Sequence, residues 1–157
     1  MKLTYKEKSF FDEDIEVFDE ANLLVAEINK ERGKYNLLFR KNEYFIQAES
    51  GFFTSKAKVI NRNDKLDFTL LNLKSNFELN FTINETNEKY FYKLSYPFIN
   101  NFYLANNRNE IVANGTKNIV TNNGFVEYEE DLDLKIILFF ILIRLSRSEL
   151  IIPGMSI

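Results

Sequence analysis

Four cations, Lys56, Lys58, Arg62 and Lys65, are the residues whose types and spacing come closest to a site. Two lysines two positions apart on a strand project from the same face, so Lys56 and Lys58 can contact one phosphate together. This makes the cluster a candidate anion or lipid-headgroup site, set against the ordinary reading of a solvated sheet face. The carboxylates offer less. Asp12-Glu13-Asp14-Ile15-Glu16 has the acid density of a calcium loop, but no Gly sits at the required turn and no Glu closes the twelve-residue spacing. It reads as a solvated acidic loop. Glu127, Glu129, Glu130, Asp131 and Asp133 include pairs of the kind some glycosidases use, yet their position before an apolar run reads as a helix start. Gly33 and Gly51 lie in no phosphate-binding loop.

The absences are as informative. With no His and no Cys, the chain cannot form Ser-His-Asp triads, Cys-His pairs, zinc-thiolate sites or disulfides. No catalytic residue, metal or cofactor is expected. A net charge of −3 and a pI near 5.2 argue against a nucleic-acid partner, because neutralising phosphates along a strand needs a broad basic surface. Lack of Cys fits a reducing compartment. After the basic opening, Phe10 and Phe11 lead into acidic residues rather than into the apolar core of a signal peptide. The expected location is therefore cytoplasmic or peripheral to a membrane, and the expected state a monomer. Asn80-Phe81-Thr82, Asn84-Glu85-Thr86 and Asn114-Gly115-Thr116 match the glycosylation pattern, as an Asn-rich chain does by chance.

The elements that must position these side chains are mostly strands. The 16 Phe and 8 Tyr against 5 Gly and 2 Pro favour a pleated surface, and 45% hydrophobic residues suffice for one continuous core over residues 1–157. From Tyr35 onward, short apolar or alternating runs are separated by polar clusters. The predicted strands are Tyr35–Arg40, Glu43–Ala48, Phe52–Ile60, Lys65–Leu71, Phe77–Ile83, Lys89–Leu94, Phe102–Ala105, Glu110–Ala113, Lys117–Thr121 and Phe125–Glu129. The clearest is the stretch in which Phe77, Leu79, Phe81 and Ile83 share one face and Glu78, Asn80 and Thr82 the other. Ahead of these, Ile15 and Val17 read as a strand, and 21–32 as a strand rather than a short helix. Phe52, Phe53, Phe98 and Phe102 are assigned to core packing in preference to membrane insertion.

The least ordinary segment is Ile136 to Ile143, eight consecutive apolar residues with no polar face. As a helix it covers roughly 12 Å, far short of the ~30 Å hydrocarbon core of a bilayer, so no transmembrane segment is expected. Acids before it and Arg144 and Arg147 after it match a helix dipole, with Asp131 as N-cap and the helix at about 132–146. A helix apolar all round must be covered on every side, and strands that must hide their edges do so by closing round it. The predicted fold is mainly β, a closed antiparallel barrel of about twelve strands around a C-terminal hydrophobic α-helix.

In that frame Tyr90-Phe91-Tyr92-Lys93-Leu94, Phe102-Tyr103-Leu104, Glu110-Ile111-Val112-Ala113 and the terminal apolar run follow the order of a known family's late strands and helix. The chain resembles the tubby C-terminal-like superfamily, which includes the LURP-one-related proteins and the phospholipid scramblases. The resemblance implies the helix-threaded barrel and a non-enzymatic binding role toward a phospholipid headgroup or a protein partner. The scramblases' Cys-rich palmitoylation segment and Pro-rich tail have no counterpart here, and no residue-by-residue match to the tubby phosphoinositide site exists. The alternative is an intracellular lipid carrier with a lipocalin-like or fatty-acid-binding-like barrel, which requires a hollow interior.

Overall fold

The structure, a computed structural model, describes residues 1–9, 12–48, 56–63, 68–73, 78–95, 100–118 and 120–146. Twelve strands run in chain order: β1 (Lys2–Ser9), β2 (Asp12–Phe18), β3 (Leu24–Glu31), β4 (Lys34–Phe39), β5 (Asn42–Ala48), β6 (Lys56–Asn61), β7 (Phe68–Leu73), β8 (Glu78–Ile83), β9 (Lys89–Leu94), β10 (Asn101–Asn106), β11 (Ile111–Lys117) and β12 (Gly124–Tyr128). One helix, α1 (Leu134–Leu145), follows. Each strand pairs antiparallel with its neighbours in sequence, and β1 closes the ring on β12 with Leu3 opposite Val126. Closure leaves no unpaired edge, which is how so many half-buried strands avoid pairing with other molecules.

Two tight connections show why the hairpins turn where they do. Arg32 and Gly33, and likewise Arg40 and Lys41, all have positive φ, the signature of two-residue loops whose twist matches the flanking strands. The second loop lies one residue earlier than the Lys41-Asn42 connection predicted, because Asn42 already pairs with Phe39.

Alternation places one side chain in two inside. Every strand contributes to a single buried apolar cluster: Tyr5 from β1, Val17 from β2, Ile28 from β3, Leu37 from β4, and so on round to Val126 from β12. Helix α1 belongs to the same cluster, with Ile136 through Ile143 and Leu145 all buried. Its aromatic residues touch different sectors of the wall. Phe139 packs edge-on against Tyr44 of β5 at 5.0 Å and Phe81 of β8 at 6.4 Å, while Phe140 meets Tyr92 of β9 at 5.6 Å and Phe102 of β10 at 4.7 Å. Such offset and edge contacts each add about 0.5–1.5 kcal/mol beyond burial.

The predicted barrel with its central helix is the observed one, with four local corrections. Lys2–Ser9 is a strand, missed because its inward residues are only Leu3 and Tyr5 among lysines and a glutamate. Asp12, Glu13 and Asp14 open β2 rather than forming a loop, with the Asp14 carboxylate accepting from the Lys30 N–H at 2.9 Å and Glu13 pairing with Lys30 at 2.7 Å. Glu110–Ala113 and Lys117–Thr121 are not two strands; Ile111–Lys117 runs unbroken through Asn114-Gly115, and the chain leaves the sheet after Lys117. The helix begins later than predicted, capped by Asp133 rather than Asp131, with the Asp133 carboxylate accepting from the Lys135 N–H at 2.9 Å. Phe52, Phe53 and Phe98 lie outside the described residues, whereas Phe102 is core.

Glycine inside β11 and at the start of β12 answers a packing demand. A Cβ at Gly115 would occupy the Phe102 ring, and one at Gly124 would collide with the Thr116 carbonyl oxygen and the Tyr5 hydroxyl. Tyr5 lies across Gly124, its register partner, and donates to that Thr116 carbonyl at 2.8 Å. The Asn-Gly pairs that read as turn signals are places where an aromatic ring covers a neighbouring strand.

Candidate functional site

Of the four predicted cations, β6 brings two together. Lys56 and Lys58 alternate with buried Ala57 and Val59, so both stand on the outer wall about 7 Å apart along the strand. In register they face Asn72, Gln47 and Leu70 on the adjoining strands. Arg62 follows the strand, about 13 Å beyond Lys58. Its guanidinium lies 3.5 Å from Glu43 and over the Phe45 ring at 5.1 Å, and its N–H donates to the Glu43 carbonyl at 2.7 Å. Lys65 lies outside the described residues.

The two ends of the barrel differ. At the lower end, where α1 begins, a cleft of about 540 Å³ opens between the start of the helix and the loops joining β8 to β9 and β10 to β11. Glu88, Glu129, Asp131 and Asp133 line it together with Tyr90, Asn106 and Arg108. Sequence reasoning found only the three acids preceding the helix. Glu88, Tyr90 and Asn106 carry no local signal, because they join the cleft only when the barrel closes. Burial pushes the Tyr90 hydroxyl up to about 12, helped by the charge of Glu88, a hydrogen bond with it, and the charges of Asp133 and Asp131. Tyr90 is thus held as a neutral phenol beside carboxylates. Among the described residues no group of three metal-ligating side chains is arranged to hold an ion.

At the upper end the β11–β12 connection crosses the mouth of the barrel. The Asn122 amide donates to the Tyr35 hydroxyl on β4 at 3.2 Å, and the Asn122 N–H donates to Glu7 on β1 at 2.8 Å. The interior is therefore filled by α1, and a loop crosses the upper mouth. No helix of the described residues is long and apolar enough to cross a membrane.

The fold is similar to that of a plant protein of known structure. The crystal structure of a protein from Arabidopsis thaliana superposes with a TM-score of 0.62, covering 94% of this chain and 90% of that one at 14% identity. At that identity the likeness concerns fold alone, and it extends over nearly the whole of both chains. No protein-family model and no curated protein matches the chain.

The tyrosines give the barrel a defined response to alkali. Burial is the largest cause raising the pKa of Tyr5, Tyr35, Tyr90 and Tyr128 above the ordinary 10.0. A folded pKa above the unfolded one means that the stabilisation is complete below pH 10 and is lost as pH rises through the folded values. Lys117, whose pKa is lowered by burial and by Arg144, works in the opposite sense but is a single group. Denaturant midpoints are expected to stay level to about pH 9 and to fall steeply above about pH 10. Tyrosinate absorbance should appear together with unfolding, and a tyrosinate titration complete before any loss of structure would contradict the buried placement.

Proposed function

We propose that this domain is a non-enzymatic binding module of tubby-like fold that works from its outer surface and takes phospholipid headgroups as ligands at the cytoplasmic face of a membrane. The observation that carries the proposal is the filled interior. A carrier of the lipocalin or fatty-acid-binding type keeps its ligand in the lumen, and here that space holds Phe139, Phe140 and the rest of α1. Action is left to the outer wall and the loops. The order of the late strands and helix, and a likeness of fold over 94% of the chain, support the tubby-like reading. Lys56 and Lys58, side by side on the outer wall, are the proposed headgroup contacts, with Arg62 and Lys65 further along the same stretch of chain.

Flotation with phosphatidylcholine vesicles, with and without phosphatidylserine, tests this. The wild-type protein is expected to float with the anionic vesicles only. Each basic residue near an anionic surface contributes about 1 kcal/mol, so reversing both charges in Lys56→Glu/Lys58→Glu should cut partitioning at least tenfold. Absence of flotation by the wild type removes the headgroup reading.

A further inference from the structure

We infer that the outer wall of the barrel carries a sugar-binding site, a shallow groove along β11 that takes one hexopyranose ring between Tyr103 of β10 and Phe125 of β12. Register and alternation set six outward side chains on a grid. Tyr103, Asn114 and Glu127 stand opposite one another on β10, β11 and β12, and Asn101, Thr116 and Phe125 form the adjoining outward row. Buried Phe102, Gly115 and Val126 separate the two rows. From the spacing of alternate residues along a strand and of adjacent strands, the grid spans about 7 by 10 Å, enough for one sugar ring. Its middle strand supplies only the short side chains of Asn114 and Thr116, while the rings of Tyr103 and Phe125 rise at opposite corners, so the wall dips along β11. The six residues line a groove of about 390 Å³, a volume ordinary for a small-ligand cleft.

The groups in the groove match an uncharged ring bearing many hydroxyls. The C–H hydrogens on the face of a pyranose are weakly positive and pack against the negative face of an aromatic ring. Lys2 lies over Phe125 at 4.3 Å, but it comes from β1, on the far side of β12 from the groove. Hydroxyls need donors and acceptors together, which the Asn101 and Asn114 amides and the Tyr103 and Thr116 hydroxyls supply, with Glu127 as a further acceptor. None of these five side chains makes a hydrogen bond or ion pair among the described residues. Asparagines elsewhere serve the fold: Asn106 donates to Glu110 at 2.8 Å, and Asn118 and Asn123 accept from the N–H groups of Val120 and Glu7 at 2.8 and 2.7 Å. Asn is a poor strand former, so Asn114 in the middle of β11 breaks a local rule without serving the sheet, as residues kept for a ligand do. Glu127 is the one charged residue lining the groove among those described, which sets the site against phosphate and in favour of a neutral ligand.

The groove is independent of the Lys56/Lys58 face, because β6 stands across the ring from β12. A hexopyranose can reach it as a soluble sugar or as the headgroup of a glycosyl lipid, and the ring chemistry that the groove recognises is the same in both.

Titration of the ¹⁵N-labelled protein with the methyl pyranosides of glucose, galactose and mannose tests the site. At least one of the three is expected to give saturable amide shifts at Asn101, Tyr103, Asn114, Thr116, Phe125 and Glu127. Tyr103→Thr removes a ring from the groove and should weaken that sugar about tenfold. Asn114→Thr removes the amide and should weaken it about fivefold. Thr is a better strand former than Asn, so the second variant keeps the sheet intact and its melting temperature should not fall. Lys56→Glu/Lys58→Glu should leave the sugar titration unchanged, so that this site and the proposed vesicle contact stand or fall separately. Displacement of the methyl glycoside by phosphatidylcholine vesicles carrying the matching glycosyl diacylglycerol identifies a lipid-borne sugar as the ligand, and no displacement identifies a soluble one. Shifts that saturate with none of the three sugars, that fall outside the six residues, or that persist undiminished in both Tyr103→Thr and Asn114→Thr overturn the proposal.

Discussion

A Phe140→Asp variant is expected to show no cooperative unfolding transition and to be recovered as aggregate or as an unfolded chain. Phe140 is fully buried between Tyr92 and Phe102, so the change removes a large apolar side chain and puts a carboxylate where nothing can solvate it. Loss of the ring alone costs about 3–5 kcal/mol. A buried, unmatched carboxylate costs several more, even if it escapes by taking up a proton. Domains are stable by only about 5–15 kcal/mol, so the sum leaves little or nothing. Phe140→Leu, which keeps an apolar side chain of nearby size, should cost only about 1–2 kcal/mol and serves as the control. Truncation before Ile136 should be as damaging as Phe140→Asp. Burial of the eight residues from Ile136 to Ile143 contributes on the order of 12–24 kcal/mol gross, and without them the inward face of every strand looks onto a void. Circular dichroism with a denaturant titration reads both variants. A soluble, cooperatively folded product from either would show that the barrel does not need its helix.

The second large effect lies on the wall rather than in the plug. Gly124→Val is expected to destabilise the barrel by about 3–5 kcal/mol, and Gly115→Val by about 2–4 kcal/mol. At Gly124 the new side chain meets the Thr116 backbone carbonyl and the Tyr5 hydroxyl, and a backbone atom in a closed sheet cannot step aside. Tyr5 must rotate away and lose its bond to Thr116, which leaves a buried phenol without its acceptor. At Gly115 the obstacle is the Phe102 ring, a side chain with some freedom, but it is wedged against Phe140 and Tyr92. That difference in the yielding partner sets the order of the two variants. Losses of this size should lower the melting temperature by roughly 10 °C. If Gly124→Val melts with the wild type, the glycine is incidental and the Tyr5 packing is not what the position selects for.

Lys56 and Lys58 are neighbours on one strand, so any surface that carries negative charge can meet them without fit. Binding there should fall steeply with salt, because exposed charges are screened within about 10 Å at 0.1 M ionic strength.

Much of the architecture was legible because it rests on local periodicity. The alternation of Leu79, Phe81 and Ile83 with Glu78, Asn80 and Thr82 defines a half-buried strand wherever its partner lies, and the unbroken run from Ile136 to Ile143 demands cover on every side. Those two facts together require a closed wall round a helix. The count of about twelve strands was right although two of its parts were wrong. Lys2–Ser9 was missed, and Ile111–Lys117 was divided at Asn114-Gly115, because an Asn-Gly pair signals a turn only when nothing else needs the missing Cβ. Here the Phe102 ring needs it, and that ring comes from another strand.

What the sequence by itself determined was therefore the class of the fold, the burial of the last helix and the pairing of Lys56 with Lys58. All three depend on residues a few positions apart, where bond geometry alone dictates which side chains share a face. Only the tertiary structure decided that Asp133 caps the helix and that Glu88 and Tyr90 join the acids of the lower cleft. Those neighbours come from separate strands and from the helix start, and they meet because the strands wrap an apolar helix that shares one buried cluster with every one of them.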